Sequence, residues 1–127
     1  MFSLSNLMEP VRIANYLLPE NVYEHSFISF DGHEVSPSNG MTIECSPPPE
    51  KIDRSDLIFV LGSWGAEHYS NKRLFSWLRF QGRYGAQICG VEMGAYILAR
   101  AGLLANRIVT AHWSYLAGFQ EKFPNIK

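Results

Sequence analysis

Apolar residues in the first twenty positions recur at spacings of three and four: Leu4, Leu7, Met8, Val11, Ala14, Leu17 and Leu18. That spacing predicts an amphipathic helix, with Ser5 or Asn6 as cap and Pro10 within its first turn. Val22 to Phe30 is rich in β-formers and predicts a strand, closed by a turn at Asp31-Gly32. A second turn at Pro37-Ser38-Asn39-Gly40 leads into a short strand from Met41 to Cys45, and Pro47-Pro48-Pro49 then forbids helix and strand alike. Leu57-Ile58-Phe59-Val60-Leu61 is a continuous apolar run between Asp56 and Gly62, the pattern of a buried parallel strand.

The second half alternates. Asn71 to Phe80 predicts a helix with Leu74, Phe75, Leu78 and Phe80 apolar, bracketed by Gly82 and Gly85. Ala86 to Val91 predicts a strand, Met93 to Ala101 a helix with Gly102 as its C′ residue, Ile108-Val109-Thr110 a short strand, and Trp113 to Phe123 a last helix closed by Pro124. Strands alternating with helices, two of the strands largely apolar, imply an α/β fold with a mainly parallel sheet covered on both faces. Ligands of such sheets lie at the carboxyl ends of the strands. The loops there are Gly62–Gly65, Gly90–Gly94 and Thr110–Trp113.

Composition narrows the function classes. The chain has 127 residues, enough for one domain; 46% are hydrophobic and 18% charged, which excludes a disordered tail. Eleven Lys+Arg against twelve Asp+Glu leave a net charge of -1, so this chain alone has no basic surplus for DNA. No apolar run reaches membrane-spanning length, and no signal peptide or internal repeat is visible. Cys45 and Cys89 read as free thiols in a reducing cytosol. His25, His33 and His68 lack metal-ligand spacing, so neither a metal nor a cofactor is expected.

Gly90-Val91-Glu92-Met93-Gly94 has the form of a nucleophile elbow, in which two glycines make room for a central residue on a sharp strand-to-helix turn. Glu92 stands at the centre; Cys89, three residues earlier, is expected to be packed inside the strand. Three roles are open to Glu92: a carboxylate nucleophile, which needs a base and oxyanion donors; a ligand-binding carboxylate, kept ionised by the helix N-terminus; or an elbow residue with no ligand. His112 is either a general base or a histidine that orders its own loop. Trp64 and Trp113 could wall a cationic amine or simply pack, and the N–H groups of Gly62–Gly65 could form the remains of an oxyanion hole or a bare turn. Glu9 and Arg12, one turn apart, can pair with each other.

The segment Ile88–Ala99, followed by Ala101-Gly102-Leu103-Leu104, Thr110-Ala111-His112-Trp113, Phe119 and Phe123-Pro124, resembles the ThiJ/PfpI domain. More narrowly it resembles the branch found at the N-terminus of AraC-type transcriptional regulators, within the class I glutamine-amidotransferase-like superfamily. Glu9–Asn15, Ser29–Gly32, Val35–Gly40 and Leu57–Gly62 resemble further parts of that branch, so the likeness covers nearly the whole chain. It implies a flavodoxin-like three-layer sandwich, here incomplete at both ends: the family's first strand, its elements past Pro124 and a helix-turn-helix domain are not in this chain. Catalytic members carry Cys at the elbow, commonly followed by His; this chain has Glu92 and Met93. The resemblance therefore implies one partial effector-sensing domain over residues 1–127, a non-enzyme that forms a homo-oligomer, and the Glu92 carboxylate with the Trp64 and Trp113 rings makes a small amine or amino-acid-like molecule the expected effector. Operator DNA would be bound only through the helix-turn-helix domain. The ligand residues it points to are Glu92, Met93, Gly62, Ser63, Trp64, His112 and Trp113. The alternative is a ThiJ/PfpI-like hydrolase or glyoxalase-type enzyme that uses the elbow.

Overall fold

A computed structural model describes residues 2–47 and 54–127. The chain forms two compact units, residues 1–52 and 53–127.

In the first unit, α1 spans Phe2–Leu17. It starts earlier than its capping residues suggest, so Pro10 lies inside the helix and not in the first turn. A proline there removes the bond to the Asn6 carbonyl, and the helix continues with that rung missing. The apolar stripe is half-buried as far as Ala14, whereas Leu17 and Leu18 are exposed. The strand expected over Val22–Phe30 does not form. The Val22 and Tyr23 N–H groups donate to Asn15 Oδ1 (3.0 and 2.9 Å), and Asn15 Nδ2 donates to the Tyr23 carbonyl (2.7 Å). One side chain on α1 thus takes the backbone groups that a ladder would have used. What pairing this segment shows is a parallel bridge of Ile28 to Ser46, in which the Ser29 N–H donates to the Ser46 carbonyl and the Ser46 N–H to the Phe27 carbonyl. The turn at Asp31 is closed by Ser29 Oγ, which accepts from the Asp31 N–H. β1 (Glu34–Val35) and β2 (Ile43–Glu44) form an antiparallel pair around the turn read at Pro37–Gly40, where the Gly40 N–H donates to the Pro37 carbonyl and Gly40 takes φ 79°. Pro48 and Pro49 lie outside the described residues.

The second unit carries the α/β character. β3 (Leu57–Gly62) and β4 (Gln87–Glu92) pair in parallel, Leu57 opposite Gln87 through to Gly62 opposite Glu92. Between them runs α2 (Lys72–Arg83), capped by Asn71 Oδ1, which accepts from the Arg73 and Leu74 N–H groups. It runs past the expected end at Gly82, and Gly85 at φ 98° turns the chain into β4. α3 (Gly94–Arg100) ends as read at Gly102: the Gly102 N–H bonds the Ala99 carbonyl and the Leu103 N–H the Leu98 carbonyl, a Schellman motif. Ile108–Thr110 is irregular rather than a strand, with the Val109 N–H bonded to the Lys127 carbonyl. The last helix divides into a 3-10 turn at Trp113–Tyr115 and α4 (Leu116–Lys122).

The core joins Val60, Phe75, Leu78, Tyr96, Leu98 and Phe119, with the Tyr96 and Phe119 rings edge to face at 5.1 Å. Gln81 is buried among them, and its Oε1 accepts from the Ser55 N–H. Among the described residues of this unit, no helix covers the second face of the sheet, although its apolar strand implied that one would. Val60 is buried, but Leu57, Phe59 and Leu61, which alternate with it, are 49%, 38% and 43% exposed. Side chains on a strand point alternately to opposite faces, so the helices cover the Val60 face alone.

Candidate functional site

The elbow forms. β4 delivers Glu92 to the junction with α3, and Glu92 adopts φ 54°, a left-handed conformation that costs an ordinary residue of order 1–3 kcal/mol. Three close approaches hold it there. A Cβ on Gly94 would stand 2.0 Å from the Val60 carbonyl oxygen, and one on Gly90 would meet the Ala95 nitrogen at 2.8 Å. A Cβ on Gly62 would meet the Gly94 nitrogen and the Met93 carbonyl carbon, both at 2.8 Å. The glycines therefore let the start of α3 press directly on β3 and β4. The Met93 N–H completes the junction by donating to the Gly62 carbonyl at 3.2 Å.

Gly62, Glu92 and Met93 are thus brought together, with Glu92 exposed and the Met93 side chain buried. Ser63 and Trp64 follow Gly62 into an exposed turn, Trp64 being 81% exposed. That turn is closed upon itself. The Ala66 N–H bonds the Ser63 carbonyl, and the Gly65 N–H donates to the Glu67 carboxylate at 3.1 Å, which takes one of the amides an oxyanion hole would have needed. His112 orders its own segment: its Nδ1 lies 2.7 Å from Ser114 Oγ and accepts from the Ser114 N–H, and its ring lies against Trp113 and Tyr115. Trp113 is 82% exposed. These hydrogen bonds and ring contacts of His112 lie within its own segment.

Cys89 lies in β4 as read, but its residue is exposed, because it shares the uncovered face with Phe59. Cys45 is buried, and burial pushes its thiol pKa up. Burial, reinforced by the Glu67 charge, also raises the Tyr96 phenol, whose hydroxyl donates to the Tyr115 carbonyl. Glu9 and Arg12 pair bidentately on α1. Among the described residues no group of three or more His, Cys, Asp or Glu could hold a metal ion, and no helix is long and apolar enough to cross a membrane.

The model of the DJ-1/PfpI family matches residues 2–123. The chain belongs to the DJ-1/PfpI family. Its relatives include the HTH-type transcriptional regulator CdhR of Pseudomonas aeruginosa, 34% identical over 119 residues, which are 94% of this chain and 35% of that protein. GbdR of the same species, also an HTH-type transcriptional regulator, is 32% identical over 126 residues (99% of this chain, 34% of that protein). GlxA of Rhizobium meliloti, a third such regulator, is 30% identical over 127 residues (99% and 39%). The chain therefore spans about a third of the length of these curated relatives. A crystal structure from Vibrio parahaemolyticus, of a protein described as a transcriptional regulator, superposes with a TM-score of 0.74 at 20% identity. It covers 98% of this chain and 65% of that one, and it supports the flavodoxin-like α/β fold of this family.

Nothing in the sequence singles out Glu67, Arg100 or Lys122, whose contacts in the structure bear on the turn that carries Trp64. A basic residue in the last turn of a helix is the ordinary partner of its dipole. Which carbonyl it reaches is settled only by the fold.

Proposed function

We propose that this chain is the effector-sensing part of an AraC-type transcriptional regulator, without catalytic activity of its own. The carrying observation is Glu92 at the elbow, held at φ 54° and exposed. A thiolate would be the reactive nucleophile in that position. A carboxylate is a weaker nucleophile than a thiolate and a ready partner for a cation. The regulators among its relatives support the same reading.

The effector is a small amine or amino-acid-like molecule. Its cationic head pairs with Glu92 and lies over Trp64 or Trp113, while Gly62, Ser63, Met93 and His112 shape the floor and rim. The functional unit is a homo-oligomer in the cytoplasm, and operator DNA is contacted by a separate helix-turn-helix domain. Titration of the chain with tetramethylammonium chloride and a panel of free amino acids, followed by tryptophan fluorescence, tests the site. Saturable binding that Glu92→Gln weakens at least tenfold is the expected result. Turnover of methylglyoxal that disappears in Glu92→Ala would overturn the reading in favour of an enzyme.

A further inference from the structure

The backbone carbonyl of Glu67 accepts hydrogen bonds from two cations, Arg100 through Nη2 and Lys122 through Nζ, the latter at 2.5 Å. Arg100 is the last residue of α3, the helix that begins beside Glu92. Lys122 is the last residue of α4, the helix that follows the His112–Trp113 segment. Glu67 itself lies in the turn after Trp64, and its carboxylate folds back onto the Gly65 N–H. One carbonyl therefore collects the far ends of the two helices that carry the other candidate site segments. Among the described residues no carboxylate lies within 4 Å of either cation, so both direct their charge at this oxygen. Charge-assisted hydrogen bonds are roughly twice as strong as neutral ones, and this carbonyl receives two. Arg100 accepts a cost in doing so, since its Nε is buried with no partner. The turn closes on itself through bonds from the Ala66, His68 and Tyr69 N–H groups, and Ala66 is buried, but Ser63, Trp64, Gly65 and His68 are exposed.

We infer that Arg100 and Lys122 are positioning residues that clasp the Ser63–His68 turn through the Glu67 carbonyl and so set where Trp64 stands relative to α3 and α4. The role assigned to Trp64 rests on the proposed effector site; the clasp itself does not. Two consequences follow. Loss of both cations frees the turn without loosening the sheet, and a substitute that still donates from a positive charge keeps the turn in place.

Amide hydrogen exchange on the full 127-residue chain tests this. In Arg100→Met/Lys122→Met, the Ala66, His68 and Tyr69 amides, which close the turn onto Ser63, Gly65 and Ala66, are expected to exchange about tenfold faster. The β3–β4 amides are expected to keep their protection. Arg100→Lys/Lys122→Arg should restore wild-type exchange, which a mere loss of packing would not predict. Should the double methionine variant fail to fold, Lys122→Met alone, at an exposed position, is expected to show a smaller increase in the same three amides. Unchanged exchange at these amides, or equal acceleration in the methionine and the conservative variants, would overturn the clasp. If tetramethylammonium fails to bind the wild type, the effector reading fails, while the exchange data still decide the clasp. If it binds, the double methionine variant is expected to bind it several-fold more weakly.

Discussion

The two units of this chain are held by different means. Residues 54–127 bury a connected set of large apolar side chains, with Leu78 and Phe119 almost fully excluded from water. Among the described residues of the first unit only Cys45 and Ser29 are buried, and α1 buries none of its sixteen residues. Polar clamps supply order there instead: Asn15 takes three backbone groups, and Ser29 closes a turn. An apolar stripe at helical spacing therefore suffices to make a helix but not a core. Burial requires a second layer at the right distance, which β3, β4, α2 and α3 provide for one another.

The sharpest test of this contrast is Gly94→Ala. Its methyl group would enter the space of the Val60 carbonyl at 2.0 Å, where backbone meets backbone and no rotamer can give way. The expected cost exceeds the ~3 kcal/mol that usually bounds overpacking, and the second unit should lose its cooperative melt. Leu78→Ala comes next, at about 3 kcal/mol, because the residue is fully buried and leaves a cavity. Leu17→Ala, at a site 73% exposed on α1, should change stability by less than ~0.5 kcal/mol. A Leu17 effect as large as that of Leu78 would break the comparison outright.

Asn15→Ala asks the matching question of the first unit. Three hydrogen bonds to Val22 and Tyr23 disappear together, and about 1–2 kcal/mol of local order should go with them. The measurement is amide exchange at Val22 and Tyr23, since the loss is confined to the segment that Asn15 holds. Unchanged exchange would mean that something other than this side chain orders the segment.

These positions also show how far the sequence could be read. β3, α2, β4 and α3 were legible because apolar runs, the amphipathic spacing of Leu74, Phe75 and Leu78 and a Gly C′ residue agree with the packing that the fold supplies. The elbow was legible for the same reason: Gly90 and Gly94 have a steric purpose that any strand-to-helix junction of this kind imposes. Val22–Phe30 misled, because β-formers make a strand only where a neighbour offers its edge, and here Asn15 claimed the backbone first. The exposure of Leu57, Phe59 and Leu61 could not be read from an apolar run, which records composition but not which face is covered. The Glu67 clasp joins residues 33 and 55 positions apart, a separation at which local patterns carry no signal.

A smaller effect is expected from the buried thiol of Cys45. Burial raises its pKa, so the unfolded chain ionises first as pH rises. The contribution is whole below the ordinary thiol value and is lost as pH climbs through that value toward the folded one. Thermal melts of the wild type should fall slightly across this alkaline window, and Cys45→Ala should flatten the slope. A slope that persists in Cys45→Ala would assign it to other groups.

The smallest effect should come from Glu9 and Arg12. Their pairing is bidentate, with Arg12 Nε 2.9 Å from Glu9 Oε2, and the hydrogen bond from Arg12 holds the Glu9 carboxyl below its ordinary value. The sign is that of any depressed carboxylate: the contribution is present above the ordinary value and is lost as pH falls through the lowered one. Its size is set by water, because the two side chains remain 63% and 55% exposed, and exposed pairs are screened and entropically costly. Glu9→Gln should therefore melt with the wild type at neutral pH, and added salt should not separate the two. If Glu9→Gln lowered the melting temperature more than Leu17→Ala does, the order of α1 would rest on this pair. The contrast between the units would then be between charge and packing, not between polar clamps and packing.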